Sequence, residues 1–161
     1  MNRIYISPSD NAKLRAIVIT TLYTDENYSA AHALRAELDR AFIRSHDDEL
    51  SDIITMGATF EYEDLDTGIV AENTLCFPNE VNSTPNGLSV FSPLGIAAIG
   101  CAVNDIVDWS TRTNIRRIII RRVSQPGFRR IAKMRRNPGR SSSKIAAAGS
   151  RLANYSTPTT R

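Results

Sequence analysis

At 161 residues, 42% of them hydrophobic, the chain is large enough for one packed core and too apolar to be wholly disordered. Its apolar runs fall short of the ~18–20 residues that cross a bilayer; residues 1–11 lack the apolar centre of a secretory signal, and two cysteines with two histidines make neither a disulfide scaffold nor a His-rich metal site. The formal net charge of +3 divides into −11 over residues 1–108, which hold all 17 acids and six bases, and +14 over residues 109–161, which hold 14 bases and no acid.

Ile4 and Ile6 alternate with Tyr5, which suits a short strand. Ser7-Pro8-Ser9-Asp10 is a helix-start signal with Ser9 or Asp10 as cap, and Leu14, Ile17, Val18 and Leu22 recur at helical spacing through residues 11–22. Residues 23–28 are polar and read as a turn. Ser29 is placed to cap a second helix running to about Arg44, with Ala30, Ala33, Leu34, Leu38, Ala41 and Phe42 on its apolar face. Arg35 with Asp39 and Glu37 with Arg40 are spaced for ion pairs on the outer face. Two helices joined by a short loop make an antiparallel hairpin.

From Ser51 the period changes. Ile53-Ile54-Thr55-Met56 is a β-like run, residues 58–63 alternate, and residues 64–68 form a turn ending in Gly68. Residues 69–77 are the return strand, stopped by Pro78. Residues 82–87 are a dense turn cluster, and Leu88-Ser89-Val90-Phe91 is another short strand. Ser92 as cap and Pro93 at the first helical position open a short helix that Gly100 closes. Residues 105–109 and 115–123 are the last two strands. The expected class is α+β: a short N-terminal antiparallel helical hairpin, then an antiparallel sheet with one short helix. Three parts follow: the hairpin (1–46), the sheet domain (47–126) and a basic tail (127–161) whose composition reads as disordered. Within the tail, Phe128, Ile131 and Met134 fall at helical spacing, a segment able to fold against a partner.

Little of this points to catalysis. Gly95 and Gly100 flank an apolar segment with no following Lys-Ser/Thr, so no phosphate loop is present and a nucleotide kinase is not expected. Cys76 and Cys101 sit among apolar neighbours and read as buried. No metal or cofactor is expected.

The stretch of residues 88–105, with Ser92-Pro93-Leu94-Gly95, Ala97-Ala98-Ile99-Gly100 and Val103-Asn104-Asp105, resembles the C-terminal domain of the Gre transcript-cleavage factors. Ile4-Tyr5-Ile6-Ser7, the run of residues 32–41, Asp52-Ile53-Ile54-Thr55-Met56 and Gln125-Pro126 bring it closer to the Rnk-type regulators of nucleoside diphosphate kinase within that family. The resemblance covers residues 3–126. It implies an FKBP-like second domain. The missing signal argues for a cytoplasmic location, and a monomer with no membrane partner is expected. The resemblance also implies docking on the rim of the RNA polymerase secondary channel, with Ser92, Pro93, Leu94 and Gly95 at the contact. Where the family has Val-Gly-Asp, this chain has Asn104; asparagine tolerates positive φ, so the turn survives.

Gre factors carry acids at the tip of a long hairpin that help hold a Mg²⁺ ion for transcript cleavage. Here Asp25 and Glu26 sit at the expected tip, as a carboxylate pair or as an ordinary solvated turn. Helices of ~14–16 residues reach only ~21–24 Å, so rim binding without cleavage is expected. An FKBP-like fold raises peptidyl-prolyl isomerase activity as an alternative, which requires Phe60, Tyr62, Phe77 and Trp109 to converge on one pocket. Arg116 and Arg121 are placed to pair with Glu61, Glu63 or Asp64 across the sheet. In the tail, Arg129, Arg130, Lys133, Arg135, Arg136 and Arg140 are candidates for nucleic-acid contact, or for neutralising the acidic body.

Overall fold

The computed structural model describes residues 3–23, 27–45, 50–110 and 114–126. Helix α1 (Pro8–Leu22) starts earlier than the residue pattern suggested, because Ser7 and not Ser9 or Asp10 is the cap. The Ser7 hydroxyl accepts the Asp10 N–H at 3.0 Å, and Pro8 fills the position whose N–H has no helical partner. Asp10 turns instead toward the sheet domain, where its carboxylate accepts the Met56 N–H at 3.2 Å.

Helix α2 (Tyr28–Asp39) follows Asn27, which occupies the cap with φ 64°, in place of the expected Ser29. It ends before the expected Arg44. Strand β1 (Tyr5–Ile6) takes Phe42 and Ile43 into a second strand, β2 (Phe42–Ile43), parallel to it. The Phe42 N–H donates to Ile4 O at 2.8 Å and the Arg44 N–H to Ile6 O at 3.0 Å. Those long-range bonds, with residues that suit strands, override the helical spacing. Arg15 on α1 donates to the Leu38 carbonyl and to Asp39 at the end of α2, so the two helices run antiparallel.

The main sheet comprises β3 (Thr59–Asp64), β4 (Val70–Cys76), β5 (Gly87–Ser89), β6 (Ile106–Ser110) and β7 (Ile115–Ser124), in the order β5-β4-β3-β7-β6. Two expectations fail here. Of residues 53–56, only Ile53 makes a bridge, to Ala102. The Ile54 backbone is satisfied outside the sheet, its N–H by Cys101 O and its carbonyl by the Gly100 N–H, both at 2.8 Å. The sheet is also not wholly antiparallel, since β5 lies parallel to β4 after the 3-10 turn Pro78–Glu80. Helix α3 (Pro93–Ala98) lies between β5 and β6 in sequence.

Hairpin and sheet share one core. Leu14 and Val18 of α1 and Leu34 and Leu38 of α2 join Ile54, Phe60, Leu75, Ile99, Ile118 and Ile120. The segment after β7 is held to the sheet domain by Gln125, whose amide donates to the Leu50 and Ile53 carbonyls and accepts the Thr55 hydroxyl at 2.6 Å.

The buried Asp64 closes the turn into β4. Burial opposes its ionisation, yet bonds from the Thr67 N–H, the Arg116 guanidinium, the Thr67 hydroxyl and the Asp66 N–H hold its carboxyl below the usual range. A depressed carboxyl contributes stability at pH values above its unfolded pKa of ~3.9, and that contribution disappears as pH falls through the folded value. Asp64→Asn is therefore expected to flatten the acid limb of the stability profile below about pH 4, measured by urea unfolding at a series of pH values.

Candidate partner-docking site

The turn into α3 is built by serines. The Ser92 hydroxyl accepts the Gly95 N–H at 3.0 Å and donates to the Ser89 carbonyl at 2.7 Å, while the Ser89 hydroxyl accepts the Phe91 N–H at 3.1 Å. Both roles of the Ser92 hydroxyl are thus used within the turn. Leu94 is 5% exposed and Gly95 is buried. Of the four residues Ser92, Pro93, Leu94 and Gly95, Pro93 alone is exposed; the others hold its ring at the surface. Beyond the helix, Asn104 adopts φ 72°, as the residue type allows, and its N–H donates to Ile120 O at 2.8 Å.

Pro93 stands on the wall of a cleft of about 750 Å³. One side is α2, through Ala30, Ala33, Glu37 and Arg40. The floor is Phe91, Ile96 and Ala97, and the far side is the whole of β6. Glu37 pairs with Arg40 on the rim, and Asp108 of β6 with Arg117 at 2.8 Å, so the charges at the cleft are matched. Cys101 lies beneath it, 3% exposed; burial first, then the charges of Asp105 and Glu37, push its thiol up to about 12 against the opposing Arg40. Such a thiol is not a nucleophile near neutrality.

The aromatic residues do not gather as an isomerase pocket requires. Phe60 is fully buried with its ring centroid 5.7 Å from that of Tyr62. Of Phe60, Tyr62, Phe77 and Trp109, only Trp109 lines this cleft, with Phe91. The residue pattern does not mark Phe91 or Ile96 as site members, and on β6 it marks only Trp109, as a candidate for an isomerase pocket. The one available signal was the alternation that puts Val107 and the single tryptophan, Trp109, on one face of β6.

The strand arginines pair as their cross-strand positions predict. Arg116 meets Asp64 at 2.9 Å, Arg121 meets Glu63 at 2.6 Å, and Arg122 bridges Glu61 and Glu72 at 3.2 and 3.1 Å. These guanidiniums are engaged in the sheet's own ladder. Asp25 and Glu26, and Arg129, Arg130, Lys133, Arg135, Arg136 and Arg140, lie outside the described residues. Among the described residues no group of three or more His, Cys, Asp or Glu side chains is arranged to hold a metal ion. Nor, among them, is any helix long and apolar enough to cross a membrane.

Residues 49–125 match the family model for the C-terminal region of the transcription elongation factors GreA and GreB. The chain is 37% identical over 79 residues to the regulator of nucleoside diphosphate kinase of Escherichia coli strain K12, a match covering 49% of this chain and 58% of that protein. It is 42% identical over 52 residues to the transcription elongation factor GreA of Solidesulfovibrio magneticus, covering 32% of each. The match to the first relative therefore spans little more than half of that protein's length. Among solved structures, a prokaryotic transcription elongation factor GreA/GreB from Nitrosomonas europaea superposes with a TM-score of 0.62 at 24% identity, covering 76% of this chain and 99% of that one. The resemblance read from residues 88–105 is borne out, and the α+β fold is the one these factors share.

Proposed function

We infer that this chain is a member of the GreA/GreB family and works as a non-enzymatic transcription regulator that binds RNA polymerase. The observation that carries this reading is the position of the Ser92–Pro93 turn. It falls within the matched residues 49–125 and holds an exposed proline at the edge of an apolar cleft. In this reading the hairpin of residues 1–46 and the sheet domain of residues 47–126 act together, in the cytoplasm, with Pro93 touching the polymerase and Ser92, Leu94 and Gly95 supporting it. The two helices have 15 and 12 residues, which gives ~22 and ~18 Å. A hairpin of that length favours occupancy of the secondary-channel rim without transcript cleavage, so that any effect on nucleoside diphosphate kinase is exerted indirectly, through transcription. The tail of residues 127–161 is left as an auxiliary contact to nucleic acid.

A competition experiment tests this. Added to core polymerase with a Gre factor and a backtracked transcript, the chain is expected to inhibit cleavage, and Pro93→Asp to lose about tenfold in potency by placing a charge on an apolar contact. Failure of the native chain to bind polymerase defeats the reading. Stimulated cleavage would overturn the absence of catalysis.

A further inference from the structure

Two buried side-chain polar atoms have no hydrogen-bond partner among the described residues, Trp109 Nε1 and Glu37 Oε2. Both residues line the cleft beside Pro93, Glu37 on its α2 side and Trp109 on its β6 side. Arg40 neutralises the Glu37 carboxylate as an ion pair but donates no hydrogen bond to that oxygen. A buried donor or acceptor without a partner costs more than an average hydrogen bond returns, and native structures keep few of them. Two such atoms on opposite sides of one cleft define the chemistry of an occupant: one is an N–H that needs an acceptor, the other a carboxylate oxygen that needs a donor.

The rest of the cleft narrows the class. Its volume of about 750 Å³ is in the range that small molecules fill, and its floor of Phe91, Ile96 and Ala97 is apolar. The ion pairs Glu37–Arg40 and Asp108–Arg117 leave its charges matched. A charged molecule would therefore lose hydration over the floor and gain no net attraction in return.

We propose that this cleft binds a small uncharged molecule carrying an amide. Its C=O accepts the Trp109 indole N–H, its N–H donates to the Glu37 carboxylate, and its apolar part rests on Phe91, Ile96 and Ala97. An amide is the simplest neutral group that offers both an acceptor and a donor. Water reaches neither Trp109 Nε1 nor Glu37 Oε2, so the occupant seats itself between α2 and β6 and turns both side chains onto it. The site goes beyond the polymerase reading and does not depend on it.

ε-Caprolactam and cycloheptanone test this. The two rings are the same size, and the ketone keeps the acceptor but lacks the N–H. A cleft offering only apolar surface would favour the ketone, the more apolar of the two. Binding is followed by NMR at the Nε1–H signal of Trp109, the single tryptophan of the chain. Caprolactam is expected to bind about tenfold more tightly than the ketone, moving the indole signal downfield. Trp109→Phe, followed at the Ile96 and Ala97 amides, is expected to bind caprolactam about tenfold more weakly than the native chain. Equal affinity for the two rings, preference for the ketone, or no binding of caprolactam overturns the proposal, as does native affinity in folded Trp109→Phe. Should that variant fail to fold, the native chain decides: an indole signal that moves downfield with caprolactam supports the amide contact, and one that stays in place while caprolactam binds overturns it. None of these outcomes bears on polymerase binding through Pro93.

Discussion

Gly100→Ala is expected to cost roughly 2–5 kcal/mol and to lower the melting temperature by roughly 5–20 °C. Two effects add. Gly100 has φ 75°, a conformation that costs an L-residue roughly 1–2 kcal/mol. A methyl group there would also collide with Ile4 Cγ2 and sit 2.9 Å from the Tyr5 carbonyl oxygen and 3.0 Å from the Tyr5 nitrogen. The backbone has no freedom to retreat. The Tyr5 N–H donates to Gly100 O at 3.0 Å, the Gly100 N–H donates to Ile54 O, and Ile4 is 1% exposed. Overpacking of a closed site adds roughly 1–3 kcal/mol. Gly68 supplies the comparison: its φ is 69°, and nothing lies within 4 Å of where its methyl would go. Gly68→Ala should therefore show the conformational cost alone, roughly 1–2 kcal/mol. Equal losses in the two variants, measured by urea unfolding, would mean that contact with Ile4 and Tyr5 contributes nothing.

Much of the fold was legible where one local signal decides the outcome. Ser-Pro is such a signal and occurs twice. Ser7 and Ser92 have nearly the same cap geometry, φ −69° and ψ 151° against φ −70° and ψ 152°. At Ser92 nothing competed with it. At Ser7 two further good caps followed, Ser9 and Asp10, and the pattern did not rank them; proline preset at the first helical position settles the matter. The arginine–acid ladder was legible for a related reason, since cross-strand neighbours on one face must match in charge. The exact partners depend on a register shift between Glu61 and Tyr62, which makes Arg121 the extra residue of β7. Residue types do not mark that shift.

The misses have one cause in common, bonds made to distant parts of the chain. Phe42 continues the apolar face read for the second helix, but β1, some 37 residues earlier, pairs with it and with Ile43. The Ile54 backbone is claimed by Gly100 and Cys101. The candidate site divides in the same way. The Ser92–Pro93 cap could be read from its own tetrapeptide. The cleft beside it could not, because it exists only once α2, α3 and β6 are brought together around Phe91 and Trp109.

Gly95→Ala is the variant expected to damage that site most directly. The reason is space. The added methyl would collide with the Ser89 carbonyl oxygen and stand 3.0 Å from Ser92 Oγ. That carbonyl accepts both the Ser92 N–H at 2.9 Å and the Ser92 hydroxyl at 2.7 Å, so moving it breaks the cap of α3. A lost cap costs about 1 kcal/mol and overpacking roughly 1–3 kcal/mol, an expected total of about 3 kcal/mol. The consequence for binding is separable from that for stability. Ser92→Ala gives up the cap without introducing bulk and should cost only about 1 kcal/mol. If Pro93 acts through its position, Gly95→Ala should weaken polymerase binding about tenfold or more even at a temperature where it remains folded, while Ser92→Ala should weaken it less. Native-like affinity in folded Gly95→Ala would show that the orientation of this turn does not determine binding, and would move the contact from Pro93 toward the β6 side of the cleft.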